Sequence, residues 1–270
     1  MSEPHVLYDV ADGVATITLN RPDRHNAMSP ELIVRLASAW AAVRDDPAVS
    51  VALLTGAGDK SFCAGADLGR LIPLLTGARE ADDEWDEQLV ANWGLLDEAL
   101  LRGFDLFKPV VVAIGGNALA GGTEILMGTD FRIASERAMF GLTEVRLGII
   151  PAGGSLVRLA RQIPYTAAMK IILGGEPVDA AFAEKCGLVT EVVEHDQVLD
   201  RATEVARSVA RAAPIALASA KEVVVTSSGE TLEDGYRIES RLARKVLATE
   251  DAREGPRAFM EKRSPEWKGR

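Results

Sequence analysis

Cysteine is scarce in this chain. Cys63 and Cys186 are the only two among 270 residues, too few for a disulfide framework and too few for a cysteine zinc site. Histidine is also rare, and none of His5, His25 and His195 is suggested as an activating base for Cys63. A small, buried, reduced thiol is therefore expected there, and no metal site. Long apolar runs are missing. No stretch reaches the roughly 18 uninterrupted apolar residues of a membrane span, so no membrane insertion is expected. Met1 to His5 has neither the basic n-region nor the apolar h-region of a secretory signal. Trp267-Lys268-Gly269-Arg270 is not a peroxisomal address. The expected location is cytoplasmic. Positive charge is in deficit: 30 Lys and Arg stand against 40 Asp and Glu, a formal net charge of −10. With no basic or stacking-aromatic run either, a nucleic-acid partner or an anionic membrane surface is disfavoured. A small anionic ligand remains open, provided local cations and backbone N–H groups meet it. No self-similar period is visible.

Hydrophobic content is ordinary, 47%, and the length allows one large domain or two small ones. Val6 to Val10 and Val14 to Leu19 read as a hairpin joined at Ala11-Asp12-Gly13. Ser29-Pro30-Glu31 is a helix start, with a hydroxyl cap, proline at the first position and an acid in the first turn. Leu32, Leu36, Trp40 and Val43 then form an apolar stripe at helical spacing, with Trp40 in the core. Strands and helices alternate to about Val193, which argues for an α/β core. Pro151 to Ser155 opens a helix through Leu159, and Asp179 caps another closed by Gly187. Three helices are expected beyond Asp196, over 198–211, 215–225 and 231–247. Thr231 with Asp234 resembles a capping box. Between them, 76–105 reads as an acidic, solvated loop followed by a helical face of Leu89, Trp93, Leu96, Leu100 and Phe104.

Two glycine-containing stretches carry most of the chemical information. Ser61-Phe62-Cys63-Ala64-Gly65-Ala66-Asp67-Leu68 follows the apolar run Val51 to Leu54. Gly115 to Glu124, with Ala120-Gly121-Gly122 inside it, follows Val110 to Ile114. Each leads into a plausible helix start. Small residues let a ligand approach the backbone, and free N–H groups at a helix start bind anions. Two such donors aimed at one oxygen make an oxyanion hole. Glu124 lies three residues beyond Gly121, and Glu144 follows in Phe140-Gly141-Leu142-Thr143-Glu144.

On these residues the chain resembles the enoyl-CoA hydratase/isomerase (crotonase) family. The match also takes in Asn20-Arg21-Pro22 with Asn26-Ala27, Ala120 to Asp130, Leu147 to Pro151, and Glu254-Gly255-Pro256-Arg257-Ala258-Phe259 with Glu261-Lys262-Arg263. Each piece alone is weak; their order over nearly the whole chain is not. The resemblance implies a spiral of ββα units over residues 1–196, holding the active site. It implies a C-terminal helical region over 197–270 used in trimers, often paired into hexamers. The implied reaction is hydration of a 2-enoyl-CoA; the alternatives are Δ3-Δ2 enoyl-CoA isomerisation, which can use one glutamate, and, in a different class, an RNA-binding member of the fold. No cofactor is implied, because coenzyme A is part of the substrate.

By the same resemblance, the backbone N–H groups of Ala66 and Gly121 are the oxyanion donors. Glu124 orients and deprotonates water, and Glu144 delivers the C2 proton. A pair of neighbouring buried carboxyls holds one shared proton readily. Ala64, Gly65, Ala66, Asp67 and Leu68 would wrap the adenine and pantetheine, Arg24 would lie near the nucleotide, and Lys262 would reach phosphate from a neighbouring subunit. Asp67 also reads as a loop-holding residue, and Asp130 as structural. Three positions depart from the family pattern. Asp23 stands where many relatives are basic, Ala120 replaces the first glycine of a usual triplet, and Pro151-Ala152-Gly153-Gly154 is one residue short. Trp93 is a candidate for the acyl tunnel, and the pattern of the chain resembles a branch acting on bulky acyl-CoAs.

Overall fold

The computed structural model describes residues 3–270. The hairpin forms as expected: β1 (Val6–Ala11) and β2 (Val14–Leu19) pair antiparallel in register. Asp12 and Gly13 both take positive φ, 52° and 77°, the geometry whose twist matches a two-residue hairpin. Helix α1 (Pro30–Asp45) starts at Ser29, whose hydroxyl accepts from the Leu32 N–H. Its stripe of Leu32, Leu36, Trp40 and Val43 is fully buried.

Three strand–strand–helix units then follow. The first has β3 (Val51–Gly56), β4 (Ser61–Cys63) and the short helices α2 (Leu71–Leu75), α3 (Glu84–Ala91) and α4 (Gly94–Ala99). The second has β5 (Val110–Ile114), β6 (Asn117–Leu119) and α5 (Gly121–Leu126). The third has β7 (Phe131–Ser135), β8 (Met139–Gly141) and the helices α6 (Ser155–Gln162) and α7 (Tyr165–Gly174). The long strands pair with one another, and so do the short ones. After β9 (Val178–Asp179), α8 (Ala180–Lys185) and β10 (Glu191–Val193), one sheet has the order β1-β2-β3-β5-β7-β10 and the other β4-β6-β8-β9. This is the crotonase spiral. Its repeat lies in backbone pairing, which no recurring side-chain pattern reports.

Strand β5 is apolar throughout because both its faces are covered. Val110, Val112 and Ile114 enter the main core, which also contains Trp40, Leu54 and Phe140. Val111 and Ala113 face the other way, with Leu53 and Ile133, onto Val198, Ala202 and Ala206 of α9 (Val198–Ala210). The expected division at 196/197 thus falls just before a helix that covers the sheet. The exposed helical region consists of α10 (Pro214–Ser227), α11 (Leu232–Leu247) and α12 (Asp251–Met260).

The last helix is absent from the sequence reading because Pro256 lies inside it. The chain after α12 folds back. Asp251 accepts from the backbone N–H groups of Lys268 and Gly269 at 2.6 and 3.0 Å, and Glu254 accepts from Arg263 Nη1 at 2.6 Å and from the Glu266 N–H at 3.1 Å. Thr231 caps α11 through the Asp234 N–H at 3.1 Å, but the reverse arm of the expected box does not reach the backbone; the Thr231 hydroxyl meets the Asp234 carboxylate at 2.7 Å instead.

The segment 76–105 corrects the sequence expectation twice. Its acidic loop is not simply solvated: Asp86 is fully buried, paired with Arg79 and with Arg70, the latter at 3.1 Å. Arg79 holds the Asp86 carboxyl down to about 2, against the effect of burial. The apolar face that follows is broken at Asn92-Trp93 into α3 and α4. Trp93, at that break, is 39% exposed.

Candidate active site

The two glycine-containing loops lie side by side at the ends of β4 and β6. A Cβ on Gly65 would stand 2.6 Å from the Ala120 Cβ and 3.0 Å from the Gly121 nitrogen. Only a residue without a side chain permits that approach, and Gly65 has a φ of 90° besides. Gly65 accepts from the Met28 N–H at 2.7 Å, and Asp67 donates its N–H to Met28 at 3.0 Å. Ala64 donates to the His25 carbonyl at 3.0 Å. Among the described residues the Ala66 N–H, between these anchored neighbours, has no protein acceptor.

Asp67 is engaged on its own loop. Its carboxylate accepts from Arg21 Nη1 at 2.9 Å, from the Gly69 N–H at 2.9 Å and from the Arg70 N–H at 3.1 Å. Burial opposes its ionisation, but the Arg21 bond and the backbone donors hold its carboxyl below the ordinary value.

On the second loop Ala120 has φ 51° and ψ −126°, a conformation natural to glycine and costing an alanine on the order of 1–3 kcal/mol. Its N–H donates to the Gly141 carbonyl at 2.7 Å. The cost is borne, and α5 begins at Gly121 with an N–H that has no acceptor among the described residues. One turn on, Glu124 is 5% exposed. Its Oε1 accepts from the Ser155 hydroxyl at 2.8 Å and from the Ser155 N–H at 3.4 Å. Ser155 opens α6, so a helix N-terminus faces this carboxylate and favours its charge. Burial raises the Glu124 carboxyl, while the Ser155 bonds oppose the rise.

Glu144 follows β8 and is 7% exposed. Burial, with the Glu124 charge adding to it, pushes its carboxyl up to about 7. Its Oε2 has no hydrogen-bond partner among the described residues. The two glutamates therefore differ in surroundings, and the proton of the pair belongs on Glu144.

Ala66, Gly121, Glu124 and Glu144 line one cavity of about 350 Å³, with Ala64, Leu68 and Met28. Leu71, Ile72, Leu75, Leu96, Leu100, Leu147, Ile149 and Ile150 complete an apolar wall. Trp93 is not in this wall; the break after α3 turns it away, and Leu96 and Leu100 line the cavity instead. Arg24 is exposed in a shallow surface pocket with Arg21 and Asp23, outside the cavity. Lys262 is exposed just beyond α12 and does not line the cavity of its own chain. Cys63 is buried and its thiol is pushed up to about 12 by that burial, which leaves it inert. Asp130 accepts from the Val110 N–H and from Lys221, each at 2.7 Å, a structural tie. Ser155 and Met28 escaped the sequence reading. The helix start at Ser155 was visible, but its distance of 31 residues from Glu124 hid the contact.

The sequence pattern of enoyl-CoA hydratase/isomerase matches residues 9–270. The chain belongs to the enoyl-CoA hydratase/isomerase family. It is a crotonase-fold enzyme of the group that contains hydro-lyases. An enoyl-CoA hydratase of Mycobacterium tuberculosis is 38% identical over 269 residues, covering 100% of this chain and 98% of the relative. An (E)-benzylidenesuccinyl-CoA hydratase of Thauera aromatica is 38% identical, covering 98% of this chain and 99% of the relative. A crystal structure of an enoyl-CoA hydratase from Bacillus anthracis superposes with a TM-score of 0.88 at 36% identity, over 98% of this chain and 100% of that one. Family membership implies a CoA-thioester substrate. Among the described residues no helix is long and apolar enough to cross a membrane.

Proposed function

We propose that this protein adds water across the 2,3 double bond of a 2-enoyl-CoA. The observation that carries the reading is the unequal setting of two buried glutamates in one cavity, beside two unpaired backbone N–H groups. The thioester oxygen is received by the N–H groups of Ala66 and Gly121, which stabilise the enolate as charge develops. Glu124, ionised against Ser155, takes a proton from water as its oxygen bonds to C3. Glu144, which holds its proton up to about pH 7, gives it to C2. Isomerisation needs only one carboxylate, so the presence of both supports hydration over it. The (E)-benzylidenesuccinyl-CoA relative shows that one fold takes different acyl groups. A panel of 2-enoyl-CoAs, followed by loss of the enoyl-thioester absorbance, tests the reading. No turnover of any member would overturn it.

The loop of Ala64, Gly65, Ala66, Asp67 and Leu68 is the proposed seat of the nucleotide and pantetheine, with Arg24 at its edge. Asp67 serves there by holding the loop through Arg21. The cavity wall of Leu71, Ile72, Leu75, Leu96 and Leu100 supports medium, long or ring-bearing acyl groups over crotonyl. Each methylene buried adds about 0.8 kcal/mol before ordering costs. Along a chain-length series kcat/KM is expected to rise beyond four carbons; a steady decline from four carbons upward would show a short, closed pocket.

The glutamate pair sets a pH dependence. Activity is expected to fall above about pH 7 as Glu144 loses its proton, and to fall in acid as Glu124 gains one. Stability carries the same signature. The folded-state value of Glu144 is raised from 4.5 to about 7, so the folded state binds that proton more tightly than the unfolded chain does. Stability from this group is complete below pH 4.5 and declines as pH rises towards 7. Glu144→Gln should therefore raise the melting temperature at pH 8 and change it little at pH 4. Equal shifts at both pH values would show that Glu144 is not perturbed.

Assembly into a trimer or hexamer is part of the proposal. Val224, Leu232, Tyr236, Leu247, Phe259 and Met260 on α10 to α12 are all more than half exposed in the single chain. Such a display is unfavourable in water unless partners cover it. Lys262, beside Phe259 and Met260, would then reach a neighbour's phosphate. Light scattering should give a mass of three or six chains; a monomer at micromolar concentration would contradict this and remove the role of Lys262. A cytoplasmic location and the absence of a separate cofactor belong to the same reading.

A further inference from the structure

Among the described residues, the polar side chains lining the cavity besides Glu124, Glu144 and Thr143 are Arg102 and Asp97, which form an ion pair. Arg102 Nη1 donates to Asp97 Oδ1 at 2.9 Å and to the Ala152 carbonyl at 3.1 Å. Among the described residues its Nε and Nη2 have no acceptor. These two nitrogens form the edge of a guanidinium that takes a carboxylate side-on, through two parallel bonds.

Glycine contacts around the cavity locate the stem of this guanidinium. Gly121 meets Met28 and Gly65. Glu124 lies against Gly153, where a Cβ would be 2.7 Å from its Oε2. The neighbouring Gly154 lies under the stem of Arg102, where a Cβ would be 3.7 Å from both Cγ and Cδ. Arg102 and Glu124 therefore flank the same loop at Gly153-Gly154, and the Arg102 charge favours the ionised form of Glu124. Arg158 adjoins Arg102 and donates to the backbone carbonyls of Leu100 and Leu101. Its guanidinium is held below its ordinary value by burial first and by the Arg102 charge second. Arg158 stands behind the cavity wall, and the charges of both guanidiniums also act on Glu124.

We propose that Arg102 forms a subsite for a carboxylate at the far end of the acyl chain, so that the preferred substrates are enoyl-CoAs bearing a distal acid. The inference rests on the CoA-thioester reading of the same cavity. Asp97 and Ala152 hold Arg102 Nη1 in the wall, so little freedom is lost when the open edge is filled. The side chains of Arg102 and Asp97 are about half exposed, so the gain comes from the paired geometry of the two bonds, against competition from water. Asp97 occupies a different nitrogen, so the ligand need not displace it, but its charge opposes the ligand's.

Binding of unreactive, saturated thioesters separates this proposal from the reaction itself. Calorimetry with adipoyl-, suberoyl- and sebacoyl-CoA, against hexanoyl-, octanoyl- and decanoyl-CoA, gives an acid-to-methyl affinity ratio at each length. At the best length the ratio is expected to be roughly tenfold or more in favour of the acid. Arg102→Met should bring it to one or below, Arg102→Lys should keep part of it, and Asp97→Asn should raise it. A ratio of one or less at every length in the unmodified protein would overturn the subsite, as would an unchanged ratio in a folded Arg102→Met. Binding of these thioesters without turnover of the 2-enoyl forms of either series, acid-ended or methyl-ended, would instead overturn the hydratase reading and leave the ratio to decide the subsite.

Discussion

Glu124→Gln and Glu144→Gln should each lower hydration by roughly 10²–10⁴-fold, the range for one positioned acid or base. The two losses arise differently. Glutamine at 124 can still meet the Ser155 hydroxyl, which donates to Glu124 Oε1 at 2.8 Å, but it cannot take a proton from water. Glutamine at 144 keeps the size of the acid and has no ionisable proton for C2. Because burial already disfavours charge at Glu144, the amide should fold at least as well as the acid above pH 7. Loss of activity there cannot be assigned to loss of fold. Near-normal turnover in either folded variant would remove that residue from the mechanism.

Gly121→Pro is expected to abolish activity, because proline has no N–H to offer the thioester oxygen. Losing one oxyanion donor alone costs roughly 10²–10³-fold, and distortion adds to it. Gly121 is the first residue of α5, the helical position that tolerates proline best. The helix itself should therefore survive. Gly121→Ala is the control that keeps the donor. A Cβ there would lie 2.1 Å from the Met28 Cε, so the methyl displaces Met28 before it obstructs a thioester. Adding Met28→Ala to Gly121→Ala should recover activity lost to that clash, whereas adding it to Gly121→Pro should recover none. A folded proline variant at full rate would show that Gly121 is not a donor.

Local signals were legible where one side chain decides the outcome. Ser29-Pro30-Glu31 starts α1, Asp12-Gly13 turns the first hairpin, and the stripe from Leu32 to Val43 is buried. The order of motifs along the chain also brought Ala66, Gly121, Glu124 and Glu144 to one cavity. What stayed hidden depends on pairing across distance. The spiral is a matter of which strand lies beside which, and β3, β5 and β7 carry no shared residue pattern. Asp86 reads as one more acid in a polar loop until Arg70 and Arg79 close on it. Trp93 fits a helical stripe, yet the chain breaks there and sends it outward. Ser155, Met28 and Arg102 belong to segments far from Glu124 in sequence, so only the fold brings Ser155 against Glu124 and places Met28 and Arg102 in the cavity wall.

The central claim is that water adds at C3 while Glu144 protonates C2, and mass analysis of the product formed in deuterium oxide tests it most directly. A 2-enoyl-CoA of the best chain length should become a 3-hydroxyacyl-CoA, heavier by one water, with a single carbon-bound deuterium at C2. Both changes should be lost together in the Glu124→Gln/Glu144→Gln double variant. A product with an unchanged atom count and a moved double bond would contradict the account, as would hydration that persists at full rate in the folded double variant.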